Sequence, residues 1–71
     1  MKPNIVATNL ELEKNRGYWR AKGFDRKACD PFLTRGDEVI KRHRGNWCLY
    51  DVSSGRVKAE PILYTLLKNI I

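Results

Sequence analysis

Histidine and cysteine are scarce in this 71-residue chain, which has one histidine and two cysteines. A structural zinc site needs four ligands that usually come as closely spaced pairs, whereas Cys29, His43 and Cys48 are three residues without such a pair. Two cysteines are also too few for the disulfide framework of a small secreted domain. We therefore predict no metal site, no cofactor and two reduced thiols.

Long apolar runs are missing as well. No stretch approaches the roughly 20 consecutive apolar residues that a membrane-spanning helix needs, and the first residues lack the apolar segment of a signal peptide. Together with the reduced thiols, this pattern predicts a cytoplasmic protein that does not enter a membrane.

Residues suited to catalysis are few. A chain of this length buries only about 60% of the surface it exposes when unfolded, which leaves little room for a supported active site. His43 lies between Arg42 and Arg44, whose charges disfavour its protonated form. The five glycines are isolated, so phosphate-loop and dinucleotide-binding patterns are missing. We predict no catalytic residue and no enzyme. The alternative is a small toxin ribonuclease. Such enzymes use a His or Tyr with Arg neighbours, and the set of His43, Tyr50 and the two arginines resembles that arrangement.

Positive charge, in contrast, is abundant, because 14 Lys and Arg residues against 8 Asp and Glu give a net charge of +6. Such a charge favours anionic partners such as nucleic acid, and the alternative is a general contribution to solubility. A basic tract from 14 to 27 contains Tyr18 and Trp19, and a second basic cluster spans 41–44. Guanidinium groups pair with phosphate oxygens and aromatic rings stack on bases, although Trp19 and Trp47 are equally suited to a core.

The C-terminal segment has the clearest local pattern. After Glu60-Pro61, the apolar residues Ile62, Leu66 and Ile70 recur at helical spacing and, joined by Leu63 and Leu67, form one stripe. Proline is tolerated in the first turn of a helix. The pattern predicts a helix over about 61–70 that packs on the preceding residues.

An antiparallel hairpin region is predicted over about 38–58. One strand begins at Glu38, a second covers 47–52 and a third covers 56–58, with turns at 44–46 and 53–55. Within the second strand, Trp47 and Leu49 face one way while Cys48 and Tyr50 face the other. We expect one of these faces to meet the helix and the other to be partly wet.

The first half of the chain allows two interpretations. Leu10-Glu11-Leu12-Glu13 alternates like a strand, but Thr8 with Glu11 also fits the capping box of a short helix. The pattern basic-x-Arg-Gly-x-Trp occurs at 14–19 and again at 42–47, which favours a first hairpin at about 11–22, followed by a loop at 25–36. The whole predicts one α+β domain, 1–71, in which a small antiparallel β-sheet of one or two hairpins packs against a C-terminal helix.

Several segments resemble known proteins. Residues 45–51 followed by Ser54-Gly55-Arg56 resemble the hairpin of AP2-like sheets, which at the start of phage integrases enters a DNA groove, and the helix that follows fits that fold. Residues 36–39 before a Trp-bearing strand are similar to SH3 domains. In size, basicity and compactness the chain is similar to small phage-encoded regulators that bind bacterial RNA polymerase, which implies a nucleoprotein machine as the partner.

These observations predict a monomeric, non-enzymatic regulator that binds nucleic acid or a nucleic-acid-handling complex such as RNA polymerase. The alternative is an inhibitor or adaptor that acts by protein contacts alone, through exposed apolar residues such as Ile5, Leu10 and Phe24. The residues expected to face phosphate or an acidic partner are the basic ones of the two clusters and the turn that follows: Arg16, Arg20, Lys41, Arg42, Arg44, Arg56 and Lys58.

Overall fold

The structure, a computed structural model, describes residues 5–28 and 30–70, and for Ile5 the backbone only. Two short helices come first, α1 (Ile5–Lys14) and α2 (Arg16–Ala21). Four strands follow, β1 (Phe32–Arg35), β2 (Glu38–His43), β3 (Asn46–Asp51) and β4 (Arg56–Glu60), and then helix α3 (Leu63–Lys68). The predicted α+β class, with an antiparallel sheet and a C-terminal helix, is confirmed.

The sheet is an antiparallel meander in which the strands lie in the order β1-β2-β3-β4. β2 and β3 pair over their full length, and β4 continues the ladder from β3. Because side chains alternate between the faces of a strand, Trp47 and Leu49 point into the core while Cys48 and Tyr50 lie on the opposite face, as the sequence predicts. β1 and β4 are the outer strands of the sheet, and beyond β1 a single antiparallel bridge joins Thr34 to Asp25.

The helices cover one face of this sheet. Helix α3 has only six residues and would not be stable alone, so its packing against β3 and β4 maintains it. Leu66, at its centre, is fully buried, and its replacement by Ala would cost about 2–5 kcal/mol. The core has members from every helix and from β1, β2 and β3: Leu12, Trp19, Phe24, Leu33, Ile40, Trp47, Leu49, Leu63, Leu66, Leu67 and Ile70.

The hairpin predicted at 11–22 is wrong, because this segment is helical. In a strand, the alternation at 10–13 would put both leucines on one face, but Leu12 is fully buried and Leu10 is 58% exposed. Helical spacing accounts for the difference, since buried Leu12 lies one turn after buried Thr8. The alternative prediction of a short helix is therefore the correct one, although the helix begins before Thr8.

The two copies of the basic-x-Arg-Gly-x-Trp pattern adopt different backbone structures. Gly17 lies within helix α2, where the Trp19 N–H donates to the Asn15 carbonyl over 3.0 Å, whereas Gly45 lies in the turn between β2 and β3. Both Trp19 and Trp47 are buried, as expected for core residues. The shared pattern thus indicates burial of the tryptophan and says nothing about the backbone before it.

Strand β1 lies within the segment 25–36 that the sequence predicts to be a loop. It pairs with β2 across a two-residue turn in which Gly36 has a φ of +57°. With four residues and one fully buried side chain, Leu33, the strand is too short for its alternation to be recognised. The Gly36-Asp37 pair is a known hairpin signal and could have identified it.

Helix α3 is shorter than the predicted span of 61–70. Ile62 precedes it with an extended backbone and is 56% exposed, so this residue does not belong to the buried stripe. The other four predicted members of the stripe are buried: Leu63, Leu66, Leu67 and Ile70. Within 5–28 and 30–70, no helix has the length and apolar character that crossing a bilayer requires.

Candidate nucleic-acid interface

The turn between β2 and β3 carries the densest group of exposed cations. All residues from 41 to 46 are exposed, and three of them are Lys or Arg. The turn consists of Arg44 and Gly45, whose φ angles are +52° and +82°. Positive φ at both central residues is the property of a type I′ turn, whose twist matches that of the two strands. The hairpin therefore ends in a tight, well-defined tip.

The cations of this tip lie on both faces of the ribbon. Lys41 and His43 point away from the helices, because they alternate with the buried Ile40. Arg42 points to the helix side, where its Nη1 lies 3.4 Å from the hydroxyl oxygen of Thr8. The charged side chains next to Arg44 therefore project from both faces of the two-stranded ribbon.

The outward face of the sheet differs in charge from the face that meets the helices. Lys41 holds its ammonium group 5.2 Å from the centre of the Tyr50 ring. Burial, with a further contribution from Cys48, raises the pKa of the Tyr50 phenol above its ordinary value. The described strands bear no carboxylate on this face, whose members are Phe32, Thr34, Val39, Lys41, His43, Asn46, Cys48, Tyr50, Val57 and Ala59. One carboxylate lies at its edge, because Asp25 forms an antiparallel bridge with Thr34 on the outer side of β1.

The acidic residues of the strands lie on the helix side. The pairing register aligns Arg35, Glu38, Asp51 and Arg56 in one row across the four strands, with an arginine at each end and the two carboxylates between them. Within that row, the Arg35 Nε donates to Glu38 Oε1 over 2.7 Å. The acidic charge of the strands therefore lies on the helix side and is partly neutralised there.

The structure does not bring the seven predicted binding residues onto one surface. Lys41, Arg42 and Arg44 lie together at the tip of the β2–β3 hairpin. Arg56 pairs with Asp51, five positions along β3 from the tip, which corresponds to about 17 Å. Lys58 lies beside it on the edge strand, on the helix side.

Arg16 and Arg20 are on the wrong element for the predicted surface. Both are exposed on helix α2, and Arg16 lies 3.7 Å from Glu13. Because the hairpin predicted at 11–22 does not form, Arg16 and Arg44 do not lie on two neighbouring hairpin tips. A pair of basic residues on α2 remains, separate from the cations of the tip.

Several other cations of the basic tract stabilise the fold. Arg26 has a largely buried side chain that donates to the Asp30 carbonyl, to Glu13 and to Asn9, at 2.6, 2.7 and 2.9 Å. The ammonium group of Lys22 donates to the Ile70 carbonyl over 2.6 Å. Sequence alone does not separate such residues from solvent-facing ones, since their acceptors lie up to 48 positions away.

Arg35 combines three contacts on the helix side. Besides its contact with Glu38, it donates to the Lys22 carbonyl over 2.7 Å and lies 4.5 Å from the centre of the Phe24 ring. These contacts hold the end of α2 against the sheet. Phe24 itself is 2% exposed, so its predicted role as a protein-partner residue is wrong.

Of the other two protein-partner candidates, Leu10 is well exposed on α1. The side chain of Ile5 lies outside the described residues. His43, the last residue of β2, is exposed. Cys29 also lies outside the described residues, and among those described there is no cluster of three His, Cys, Asp or Glu side chains that could hold a metal ion.

Sequence reasoning missed two residues of this interface. Asn46 is cross-strand partner to His43 at the end of the ladder, and Tyr50 supports Lys41 from β3. Strand alternation could have placed Tyr50 beside Lys41 once the register was known. The chain matches no protein-family model, no curated protein and no solved structure.

Proposed function

We propose that this chain is a non-enzymatic, cytoplasmic regulatory protein that binds nucleic acid through the β2–β3 hairpin and the outward face of the sheet. The observation that supports this function best is the distribution of charge. Three cations surround the hairpin tip, and the face that continues from it carries no carboxylate in the described strands. A polyanion that approaches the hairpin end of this face meets cations, because the Asp25 carboxylate lies at the β1 edge, beside Thr34.

Within this class, duplex DNA is the ligand that the hairpin fits. The major groove of B-DNA is about 12 Å wide and admits a two-stranded ribbon. Because Lys41 and Arg42 point to opposite faces, an inserted ribbon would present a cation to the phosphates on each side of the groove. His43 and Asn46, paired at the end of the ladder, are next to the turn and would then lie deepest in the groove. Such DNA can be free or part of a nucleoprotein machine such as the transcription apparatus.

The residue type at position 44 supports a role for its charge. An L-residue other than Asn or Asp in the left-handed region costs about 1 kcal/mol or more, and a type I′ turn strongly favours Asn-Gly. Arg44 adopts a φ of +52° there. The turn itself therefore gives no reason for arginine, whereas a phosphate contact at the tip does.

Binding of Lys41→Gln/Arg44→Asn to a mixed-sequence DNA duplex tests the proposal. Both substitutions remove exposed charge, and neither residue contributes to the core. We expect the double variant to bind about tenfold or more weakly, with a salt dependence reduced by roughly 0.9 log unit for each phosphate that it no longer neutralises. Fluorescence anisotropy over a range of salt concentrations measures both quantities.

Arg16→Gln/Arg20→Gln is the matched control, because it removes the same amount of charge from helix α2. It should change the affinity for the duplex much less than the hairpin variant. Equal losses for the two variants would show that only net charge matters and would contradict the hairpin assignment. A wild-type affinity that does not respond to salt would contradict nucleic-acid binding altogether.

The ribonuclease alternative predicts a different result. It requires His43 as a catalytic group, so purified protein should cleave RNA and His43→Ala should not. Under the proposed function neither protein cleaves RNA, and His43→Ala changes only the affinity for DNA.

A further inference from the structure

Exposed apolar side chains are concentrated on the helices, away from the proposed DNA surface. The described part of the chain exposes seven large apolar side chains. Five of them lie on α1, on α2, on α3 or directly before α3, and we call this set the helix patch: Val6, Leu10, Tyr18, Ile62 and Tyr64. A contiguous patch of this kind marks an interaction site more often than a solvated surface.

The members of the helix patch are neighbours in space. Leu10, Ile62 and Tyr64 line one groove of about 500 Å³ between α1 and the start of α3. Tyr64 packs edge-on against Tyr18, with 5.0 Å between the ring centres. Val6 lies one helical turn before Leu10 and so extends the same face of α1. The patch is therefore continuous along the length of α1.

We propose that the helix patch binds an amphipathic helix of a partner protein, with acidic residues beside its apolar stripe. This site is independent of the proposed DNA contact and gives the chain a second partner. The groove is built from helix side chains, so it offers no free strand edge for an extended peptide to pair with. A helix needs no such edge, because its own backbone groups are already paired.

Charge distinguishes an acidic partner from a second copy of this chain. Lys14 lines the groove, and exposed Lys68 lies one helical turn beyond Tyr64. Glu11 also lines the groove, but its carboxylate accepts a hydrogen bond from the Leu63 N–H over 3.0 Å. Two copies would each bring a net charge of +6 to the contact, whereas acidic flanks would pair with the lysines.

Two designed peptides test this proposal. Each is a helix of about five turns with leucines at i, i+4 and i+7, and the two differ only in carrying Glu or Lys beside the leucines. Fluorescence anisotropy of the labelled peptides should show that the Glu peptide binds the wild-type chain about tenfold or more tightly than the Lys peptide. Equal binding of both peptides, or no binding of the Glu peptide, would overturn the proposal.

Variants locate the site. Val6→Gln/Leu10→Gln should weaken binding of the Glu peptide about tenfold or more, since a few apolar anchors carry most of the affinity in such grooves. Val52→Gln is the matched control, because Val52 is as exposed as Val6 but lies in the turn between β3 and β4. If Tyr64→Gln, a third variant, loses structure through its contact with Tyr18, the α1 variants still decide the question.

The other occupants give distinct results. A wild-type chain that sediments as a dimer, and a Val6→Gln/Leu10→Gln variant that sediments as a monomer, would assign the patch to a second copy and overturn the proposal. Loss of duplex DNA binding in that variant would assign the patch to nucleic acid and would also overturn the proposal. A Val6→Gln/Leu10→Gln variant that still binds DNA but no longer binds the Glu peptide supports the proposal. If the wild type does not bind DNA, the proposed function fails, but the peptide result is unaffected.

Discussion

The carboxylate of Glu11 on helix α1 accepts a hydrogen bond from the backbone N–H of Leu63, the first residue of helix α3, over 3.0 Å. The first N–H groups of a helix have no partner within the helix. Ile62, at the N-cap position of α3, provides no side-chain cap. A residue 52 positions earlier in the chain therefore performs the function that a Ser or Asp usually performs locally.

We predict that Glu11→Ala lowers the free energy of unfolding by about 1 kcal/mol, because it removes a cap and a negative charge near the start of α3. Glu11→Gln keeps an acceptor oxygen and should cost about half as much. Urea unfolding followed by circular dichroism measures both changes. Lys14→Ala, at an exposed position of the same helix, is the control and should change the stability by less than about 0.5 kcal/mol. Equal stabilities of Glu11→Ala and wild type would contradict the capping role.

Arg26 should be the most sensitive cation of the basic tract. Its guanidinium group joins Asp30 of the following loop to Glu13 and Asn9 of α1. Half of the Glu13 side chain is exposed, so the solvent-screened ion pair between Arg26 and Glu13 adds little to the stability. We expect Arg26→Ala to lower the free energy of unfolding by about 2 kcal/mol, because it removes the charged hydrogen bonds. Arg26→Lys should recover only part of this, because an ammonium group cannot form the fork. Urea unfolding measures these changes, and Lys27→Ala, at the exposed next position, is the control that should leave the stability unchanged.

The fold was predictable where local chemistry determines the structure. Ser53-Ser54-Gly55 forms the expected turn, and both Trp19 and Trp47 are buried. Prediction failed where tertiary contacts decide. The alternation around Leu10 and Leu12 fits a strand as well as a helix, and only the packing of Leu12 against the core distinguishes the two.

The binding surface was only partly predictable, for two reasons. Adjacent strand residues such as Lys41 and Arg42 are one cluster in sequence but lie on opposite faces. Cations such as Lys22 and Arg26 look like binding residues until their distant acceptors are known. The cluster at 41–44 was identified correctly as exposed because all of it lies at one hairpin tip.

Asp51 should contribute to the dependence of stability on pH. The Ser53 hydroxyl donates to its carboxylate over 2.8 Å, and the backbone N–H of Ser54 donates over 3.3 Å, so the pKa of Asp51 lies below its ordinary value. Because the folded pKa is lower than the unfolded one, the stabilisation is complete above the unfolded pKa near 4 and is lost as the pH falls through the folded pKa.

We therefore expect Asp51→Asn to flatten the loss of stability on acidification below about pH 4, compared with the wild type. Ser53→Ala removes the largest cause of the shift and should raise the pKa of Asp51 towards its ordinary value. NMR titration of the Asp51 carboxyl group measures this pKa directly, and urea unfolding at a series of pH values measures the effect on stability. An unchanged pKa in Ser53→Ala would contradict the assigned cause.

Arg44 and Gly45 should respond to substitution in opposite directions. Arg44→Asn replaces an arginine at a φ of +52° with a residue that tolerates the left-handed region, and we expect a gain of about 0.5 kcal/mol in the free energy of unfolding. Gly45→Ala introduces a side chain at a φ of +82°, where the strain is conformational because the space around it is open, and should cost about 1–2 kcal/mol. Urea unfolding distinguishes the two outcomes. A stabilised Arg44→Asn variant that binds DNA more weakly would separate the role of Arg44 in binding from any role in folding, whereas destabilisation would mean that the arginine side chain supports the turn.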